Sequence, residues 1–315
     1  MATTFTITDL QGYVEENAFE LLSKAVLETK LANYVQVRAG LQGNNVDIPL
    51  LSDDFAVAED ASCGWADNGT TTLEQVRMEL FHAKVNRAYC VQTLRDTFMS
   101  RQLSAGAAAG QESLPFEAQA ADYFVKNLTK YNESYLINGY SSTHDGIQDI
   151  LAAAVTAGSV TGINQLPWTA AATSGSAVNA LEAALAMFQA MPFEIALKDD
   201  LIMVVNPADY KALIGAMVNA NLFHYTGSVD EVIIPGTNIR VVPSSGISSA
   251  SGLAGVYFKF LTSGSNVIMG TDLTSDFDEF KVWYSQDNDE VRAAMKWTVG
   301  VTVIQPELCV VVNEQ

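Results

Sequence analysis

Histidine and cysteine, the side chains that most often hold metals or act as nucleophiles, are scarce: His82, His144 and His224, and Cys63, Cys90 and Cys309. None of the histidines stands in an H-E-x-x-H pattern or beside a cysteine at ligand spacing, which argues against a zinc hydrolase. An odd number of cysteines with no C-x-x-C pair argues against a disulfide framework and a structural zinc site, so they read as buried small hydrophobes in a reducing cytoplasm. There is no G-x-S-x-G, Walker A or G-x-G-x-x-G motif, and Gly246, Gly252 and Gly255 sit among serines in a loop. Basic residues are also few, 17 against 36 acidic, for a net charge of −19. Displacing counterions from phosphates needs a positive surface, so tight nucleic-acid binding by the single chain is not expected. No stretch reaches the 18 or more apolar residues of a membrane helix, and Met1 to Asp9 lacks the basic start and apolar run of a signal peptide. The expectation is a chain that begins near Met1 and stays where it is made. The acidic residues Asp272, Asp276, Asp278, Glu279, Asp287, Asp289 and Glu290 lack the spacing of a calcium loop and read as solvated turns at strand ends. No catalytic, cofactor or metal site is expected.

What is present is the pattern of a folded chain, since 49% hydrophobic residues in 315 suffice for a large core. Residues 11 to 30 place Tyr13, Ala18, Leu21, Leu22, Ala25 and Val26 on one helical face. Residues 34 to 87 read as an extended β excursion: Tyr34–Arg38 and Val46–Leu50 flank a turn at Gly40–Asn45, and Thr70–Val85 returns in alternation. There Val76, Met78 and Leu80 face one way, Gln75, Arg77 and Glu79 the other. The middle of the excursion, Ser52 to Gly69, is acidic. Long strands with so little clustered apolar content are expected to find packing elsewhere, on another copy of the chain.

A short helix is expected at Ala88–Arg101, then a flexible connector at Ser104–Gly110. Phe116, Ala120, Tyr123, Phe124, Leu128, Tyr131 and Tyr135 recur with a period near 3.6 and predict a helix of about 23 residues ending at Gly139. Leu151–Leu181, uncharged and small, reads as strands and turns. An Ala-rich helix at Ser176–Met191 ends at Pro192. Leu201–Val205 is an apolar strand, and Asn206-Pro207 caps the helix after it. Hairpins are expected at Glu231–Pro235 with Asn238–Val242 and at Val256–Leu261 with Asn266–Met269. Phe280–Ser285, Val291–Ile304 and Leu308–Val312 close an α+β chain.

This order of elements resembles that of the major capsid proteins of tailed bacteriophages, a fold shared with encapsulins. The likeness is sharpest at Asp200-Leu-Ile-Met-Val-Val-Asn-Pro-Ala-Asp-Tyr-Lys-Ala-Leu213, which is similar to the strand and helix of that family's axial domain. The second place is Phe280-Lys-Val-Trp-Tyr through Asn288-Asp-Glu-Val-Arg292 to Val299-Gly-Val-Thr-Val303 and Pro306, similar to its closing peripheral strands. The resemblance implies an N-terminal arm (1–33), an extended β loop (34–87), a peripheral domain (88–192) with a spine helix at 116–138, an axial domain (193–275) with a central mixed sheet flanked by helices, and strands returning to the peripheral domain (276–315). It implies Val37, Ile48, Val76, Met78 and Leu80 as inter-subunit contacts of the loop, and Phe116, Tyr123, Phe124, Leu128 and Tyr131 as the core of the spine helix. The implied function is non-enzymatic: hexamers and pentamers of the chain build an icosahedral shell around double-stranded DNA, without sequence-specific binding, after assembly in the host cytoplasm. Implied partners are separate scaffolding and portal proteins, with decoration proteins as an option. The alternatives are an encapsulin-like compartment and, from another class, a β-rich tail or adhesin component. Some members of the family cross-link subunits through a loop lysine, but no lysine lies between Lys30 and Lys84. The arm is also short, with no hundred-residue fused scaffold region, so the expectation is assembly with a separate scaffolding protein or with none.

Overall fold

The computed structural model describes residues 30–41, 43–55, 69–90, 116–140, 144–174, 177–222, 232–247, 258–272, 281–285, 287–288 and 290–314. The expected N-terminal helix, the Ser104–Gly110 connector and most of the acidic loop middle lie outside these residues.

Two sheets organise the chain. In the first, β1 (Gln36–Ala39), β11 (Val267–Thr271), β13 (Glu290–Val303), β3 (Gly69–Cys90) and β2 (Asn45–Phe55) follow one another, and β12 (Lys281–Ser285) pairs β13. In the second the order is β4 (Thr161–Gln165), β14 (Val310–Glu314), β10 (Lys259–Ser263), β7 (Leu201–Val205), β9 (Arg240–Pro243) and β8 (Val232–Ile233). β5 (Trp168–Thr169) and β6 (Val178–Asn179) form a small separate ladder. The helices are α1 (Phe116–Asn138), α2 (Ile147–Thr156), α3 (Ala180–Gln189) and α4 (Pro207–Asn219), with a single turn at Phe193–Ala196.

Local chemistry explains most of these elements. α1 occupies the span its aromatic period predicts and stops where Gly139 takes φ +71° and its N–H reaches Tyr135 O at 2.8 Å. Asn206 caps α4 by accepting from Ala208 N at 2.7 Å, with Pro207 in the first turn. α2 corrects the expectation of strands and turns after Leu151. Its charge-poor, Ala-rich sequence is a good helix former, and Ile147 and Leu151, four residues apart, are both fully buried.

Strands β10 and β11 correct a second expectation, because they do not form a hairpin with each other. β10 lies between β14 and β7, whereas β11 lies between β1 and β13. A 3-10 turn at Gly264–Asn266 carries the chain from one sheet to the other. It passes so close to Tyr34 that a Cβ on Gly264 would stand 2.2 Å from the Tyr34 carbonyl oxygen. β14 likewise belongs to the second sheet with β4, not with the closing strands of the first. Ala88 to Cys90, expected to open a helix, continue β3 against β13.

Most buried residues fall in two clusters that share the second sheet. Ile202, Val204, Val242, Phe260 and Val311 face the first, with Leu136, Ile137, Ile147, Trp297 and Val299. Met203, Val205, Val241, Leu261 and Val310 face the second, with Ala184, Met187, Leu213 and Met217. A strand covered on both faces carries no polar alternation, which is why β7 reads as a plain apolar run.

Candidate assembly surfaces

The long strand β3 has two partners. From Leu80 to Cys90 it pairs with β13 inside the first sheet, and from Gly69 to Glu79 it pairs with β2 alone, Glu79 opposite Asn45 and Gly69 opposite Phe55. The second half is a two-stranded ribbon about 35 Å long at roughly 3.3 Å per residue.

Its root is anchored in its own chain. Ile48, Met78 and Leu80 are buried with Ile268, and Leu41, Val46 and Ile304 pack around them. Two glycines make the room: Gly270 and Gly300 face each other across β11 and β13, and a Cβ on them would stand 2.4 Å from Met78 Cε and 2.5 Å from Glu79 O respectively. Asn44 O accepts Leu80 N at 2.8 Å, and the His82 ring bridges Asn44 Oδ1 and Thr298 Oγ1, each at 3.0 Å, tying the ribbon's entry to the sheet. Ile48, Met78 and Leu80 are thus spent on an intramolecular core, which corrects their expected role as contacts with another copy. The alternation in β3 marks a buried face, but the residue that fills it, Ile268, is nearly two hundred positions away. Val76 is half-buried beside them, and Val37 stands in β1 opposite Met269.

Further out the ribbon is bare. Thr71 to Gln75 are exposed on both faces, and the directly opposed pair Leu51 and Leu73 are 66% and 68% exposed. The outer edge of β2 carries Asp47, which meets Arg77 at 3.0 Å, and Pro49, which has no N–H to offer another strand. This ribbon presents side chains on both faces, and Pro49 interrupts the row of N–H groups along its outer edge.

Within α1 the structure buries Leu128 but leaves Tyr131 72% exposed, correcting its expected place in the helix core. The aromatic stripe is not the centre of the buried arc. That arc turns toward Asn132, Glu133, Leu136 and Ile137, and Tyr131 lies about 100° of helical rotation from Asn132. The side chains of Phe116, Tyr123 and Phe124 lie outside those described. Polar residues draw the arc round: Trp297 Nε1 donates to Asn132 Oδ1 at 2.9 Å, Ser245 Oγ to Glu133 Oε2 at 2.6 Å, and Asn138 Nδ2 to Gly246 O at 2.6 Å. Asn206 Nδ2 donates to Ile247 O at 2.6 Å, so the Ser244–Ile247 loop clips α1 to the start of α4. Buried asparagine and glutamate on a helix gave no signal in the sequence. Nearby, Phe81 of β3 stacks on Tyr135 at 4.9 Å and Tyr140 at 4.5 Å. Burial, reinforced by the Glu79 charge, pushes the Tyr135 phenol above the usual tyrosine range.

The second sheet holds a buried cation. Lys259 Nζ lies 3.2 Å from Asp209 Oδ2 and 4.9 Å from the centre of the Trp168 ring, with both charged side chains almost fully buried. Cys309 is buried and its thiol is pushed up to about 11, chiefly by burial. Of the acidic turn residues, Asp272 is buried, Asp287 exposed, and Glu290 3.6 Å from Arg292. Asp276, Asp278, Glu279 and Asp289 lie outside the described residues. Among the described residues no three His, Cys, Asp or Glu side chains come together as a metal site, and no helix is long and apolar enough to cross a membrane.

No protein-family model matches the chain, and no curated protein matches it in sequence. Solved structures do. A structure from Gordonia phage Cozz superposes over 91% of this chain and 86% of its own at TM-score 0.59 and 11% identity. The capsid of an empty GTA particle, computed with C5 symmetry, covers 92% and 89% at TM-score 0.53 and 13% identity. The capsid structure of the cyanophage P-SCSP1u covers 90% and 86% at TM-score 0.50 and 13% identity. The likeness spans both sheets and nearly the whole of each chain, so the α+β fold is the one seen in these phage and GTA capsid structures.

Proposed function

We propose that this chain, which has the fold of phage capsid subunits, is a major capsid protein of a tailed bacteriophage and acts by assembling with many copies of itself into the shell that encloses the double-stranded DNA genome. The observation that carries this reading is the two-stranded ribbon: its root is locked into the chain's own sheet, while Leu51 and Leu73 further out are about two-thirds exposed. Burying such a pair against a neighbour is a favourable contact repeated at every subunit of a closed assembly. The fold supports a structural role without catalysis, with hexamers and pentamers as building units, the virion as location and the host cytoplasm as the place of assembly. Scaffolding and portal proteins fit as partners, as do decoration proteins. The −19 charge suits a wall that lies against packed DNA without adhering to it. Because the structures named above are of phage and GTA capsids, this reading is preferred to a cargo compartment or a tail component.

The test is to express the chain with and without the scaffolding protein of its phage and follow it by sedimentation and electron microscopy. Closed particles of uniform diameter are expected. A compact monomer that persists at high concentration with scaffold present would overturn the reading.

A further inference from the structure

The polar side chains on the inner face of α1 are each held by a distant element at one end and bare at the other. Glu133 is 7% exposed; its Oε2 accepts from Ser245 Oγ at 2.6 Å, while Oε1 of the same carboxylate is buried with no hydrogen-bond partner. Asn138 Nδ2 donates to Gly246 O at 2.6 Å and to Ser134 Oγ at 3.3 Å, which fixes the orientation of the amide. Its Oδ1 is then the remaining atom, and it too is buried without a partner. Both side chains hold the loop Ser244–Ile247, and both keep an oxygen acceptor unused beneath it. The ion pairs among the described residues, Arg77–Asp47, Lys259–Asp209 and Arg292–Glu290, do not include Glu133.

The loop lies directly on the helix backbone. A Cβ on Gly246 would stand 2.5 Å from Glu133 O and 2.9 Å from Ser134 Cα, so a residue with a side chain does not fit at this crossing. Ser244 N donates to Val205 O at 3.0 Å and Gly246 N to Ser244 Oγ at 3.2 Å, which set the loop's course as it leaves β9. Although Glu133 and Asn138 are five residues apart on α1, their partners Ser245 and Gly246 are consecutive, and this draws the two side chains toward one place.

We propose that Glu133 Oε1 and Asn138 Oδ1, joined by Ser245 Oγ, form a buried site for a small monovalent cation of the sodium class under the Ser244–Ile247 loop. The chemistry of the atoms selects the ligand. A buried carboxylate without a countercharge is costly, and a buried polar atom without a partner calls for a water or an ion. Oε1 and Oδ1 are both acceptors. A water that donates to the two of them leaves its own lone pairs in need of a donor, and the unpartnered donor on this stretch of helix, Asn132 Nδ2, belongs to a side chain turned to Trp297. A hard cation needs oxygens alone and brings the charge that Glu133 lacks. One carboxylate balances one positive charge, which favours a monovalent ion over a divalent one. The same loop holds α4 through Asn206 Nδ2 on Ile247 O, so an ion seated there braces α1 against the start of α4. The site goes beyond the shell reading and does not depend on it.

The test compares the full chain in sodium chloride and in choline chloride at equal ionic strength, where screening is the same and only the small ion fits a buried site. Sodium at ten times its dissociation constant raises the folded-to-unfolded ratio about elevenfold, which is expected to lift the thermal midpoint by about 2 °C or more. Hydrogen exchange in the peptide containing Ser244–Ile247 should slow in sodium and not in choline. Glu133→Gln keeps an acceptor for Ser245 Oγ but loses the charge, and should abolish both sodium effects. The wild-type chain supplies a second measurement that needs no variant: a structure determined in sodium chloride, at a resolution that shows waters, should place an atom among Glu133 Oε1, Asn138 Oδ1 and Ser245 Oγ at contacts shorter than the about 2.7 Å of a water hydrogen bond. Equal midpoints in the two salts, or a sodium effect that Glu133→Gln leaves intact, would overturn the inference. So would a water at ordinary hydrogen-bond distances from Oε1, or a side chain of the chain itself bonded to that oxygen.

Discussion

Replacing both Leu51 and Leu73 by serine separates folding from assembly. Each leucine is about two-thirds exposed in the single chain. Fully burying a leucine is worth about 1.5–3 kcal/mol, so roughly 1–2 kcal/mol per residue remains to be gained when a neighbour covers it. The pair therefore contributes about 2–4 kcal/mol per contact, or roughly 30- to 800-fold in the association constant at 1.4 kcal/mol per tenfold. Exposed surface substitutions ordinarily change monomer stability by no more than about 0.5 kcal/mol. The variant should unfold at the wild-type midpoint by circular dichroism. Light scattering over a concentration series should place its assembly threshold at least tenfold higher. Met78→Ser provides the contrast, because Met78 is fully buried in the chain's own core and its loss should unfold the monomer first. An unchanged threshold in the double-serine variant, with normal particles, would refute the view that the outer ribbon is an adhesive surface.

Three further outcomes follow from the geometry. Gly300→Ala should destabilise the monomer by about 1–3 kcal/mol in denaturant titration, since its Cβ meets the Glu79 backbone oxygen at 2.5 Å; Gly270→Ala should cost less, because flexible ends of Met78 and Leu41 can yield. Lys259→Met should cost about 3–5 kcal/mol by leaving the Asp209 carboxylate buried without its countercharge, and adding Asp209→Leu should recover most of that loss. Cys309 has a thiol raised to about 11 from an ordinary 9.0, so folding favours its protonated form; that contribution is complete below pH 9 and is lost as pH rises toward 11. The Cys309 peptide should accordingly resist iodoacetamide at pH 8 in the folded chain and react on denaturation, and Cys309→Ala should flatten the fall in stability between pH 9 and 11.

Elements whose determinants are local were legible in the sequence. The strand Leu201–Val205 with its Asn206-Pro207 cap, the aromatic period of α1 with Gly139 at its end, and the alternation of Val76, Met78 and Leu80 all depend on neighbours within a few residues. What covers each surface was not legible, because it depends on register between distant segments. Met78 reads as a residue that must be buried, but only the Gly270–Gly300 opening and Ile268 show that its own chain buries it. Likewise β10 and β11, joined by the three-residue turn Gly264–Asn266, read as a hairpin, because the distant strands that claim each of them for a different sheet leave no local signal. α2 escaped notice because alanine and threonine carry little periodic contrast. Tyr131 was misplaced because buried Asn132 and Glu133 turn the inner face of α1 away from its aromatic stripe. For the assembly surface, the exposed pair Leu51 and Leu73 lay in the predicted excursion, but their alternation is too short to tell an outer face from an inner one.

A cryo-electron microscopy reconstruction of particles assembled from the chain, at a resolution that shows side chains, tests the central claim most directly. The account predicts a closed shell in which the ribbon keeps its root in its own first sheet while Leu51 and Leu73 are covered by a neighbouring copy. Leu51 and Leu73 left in solvent, or folded back onto their own subunit with no neighbour in contact, would contradict it.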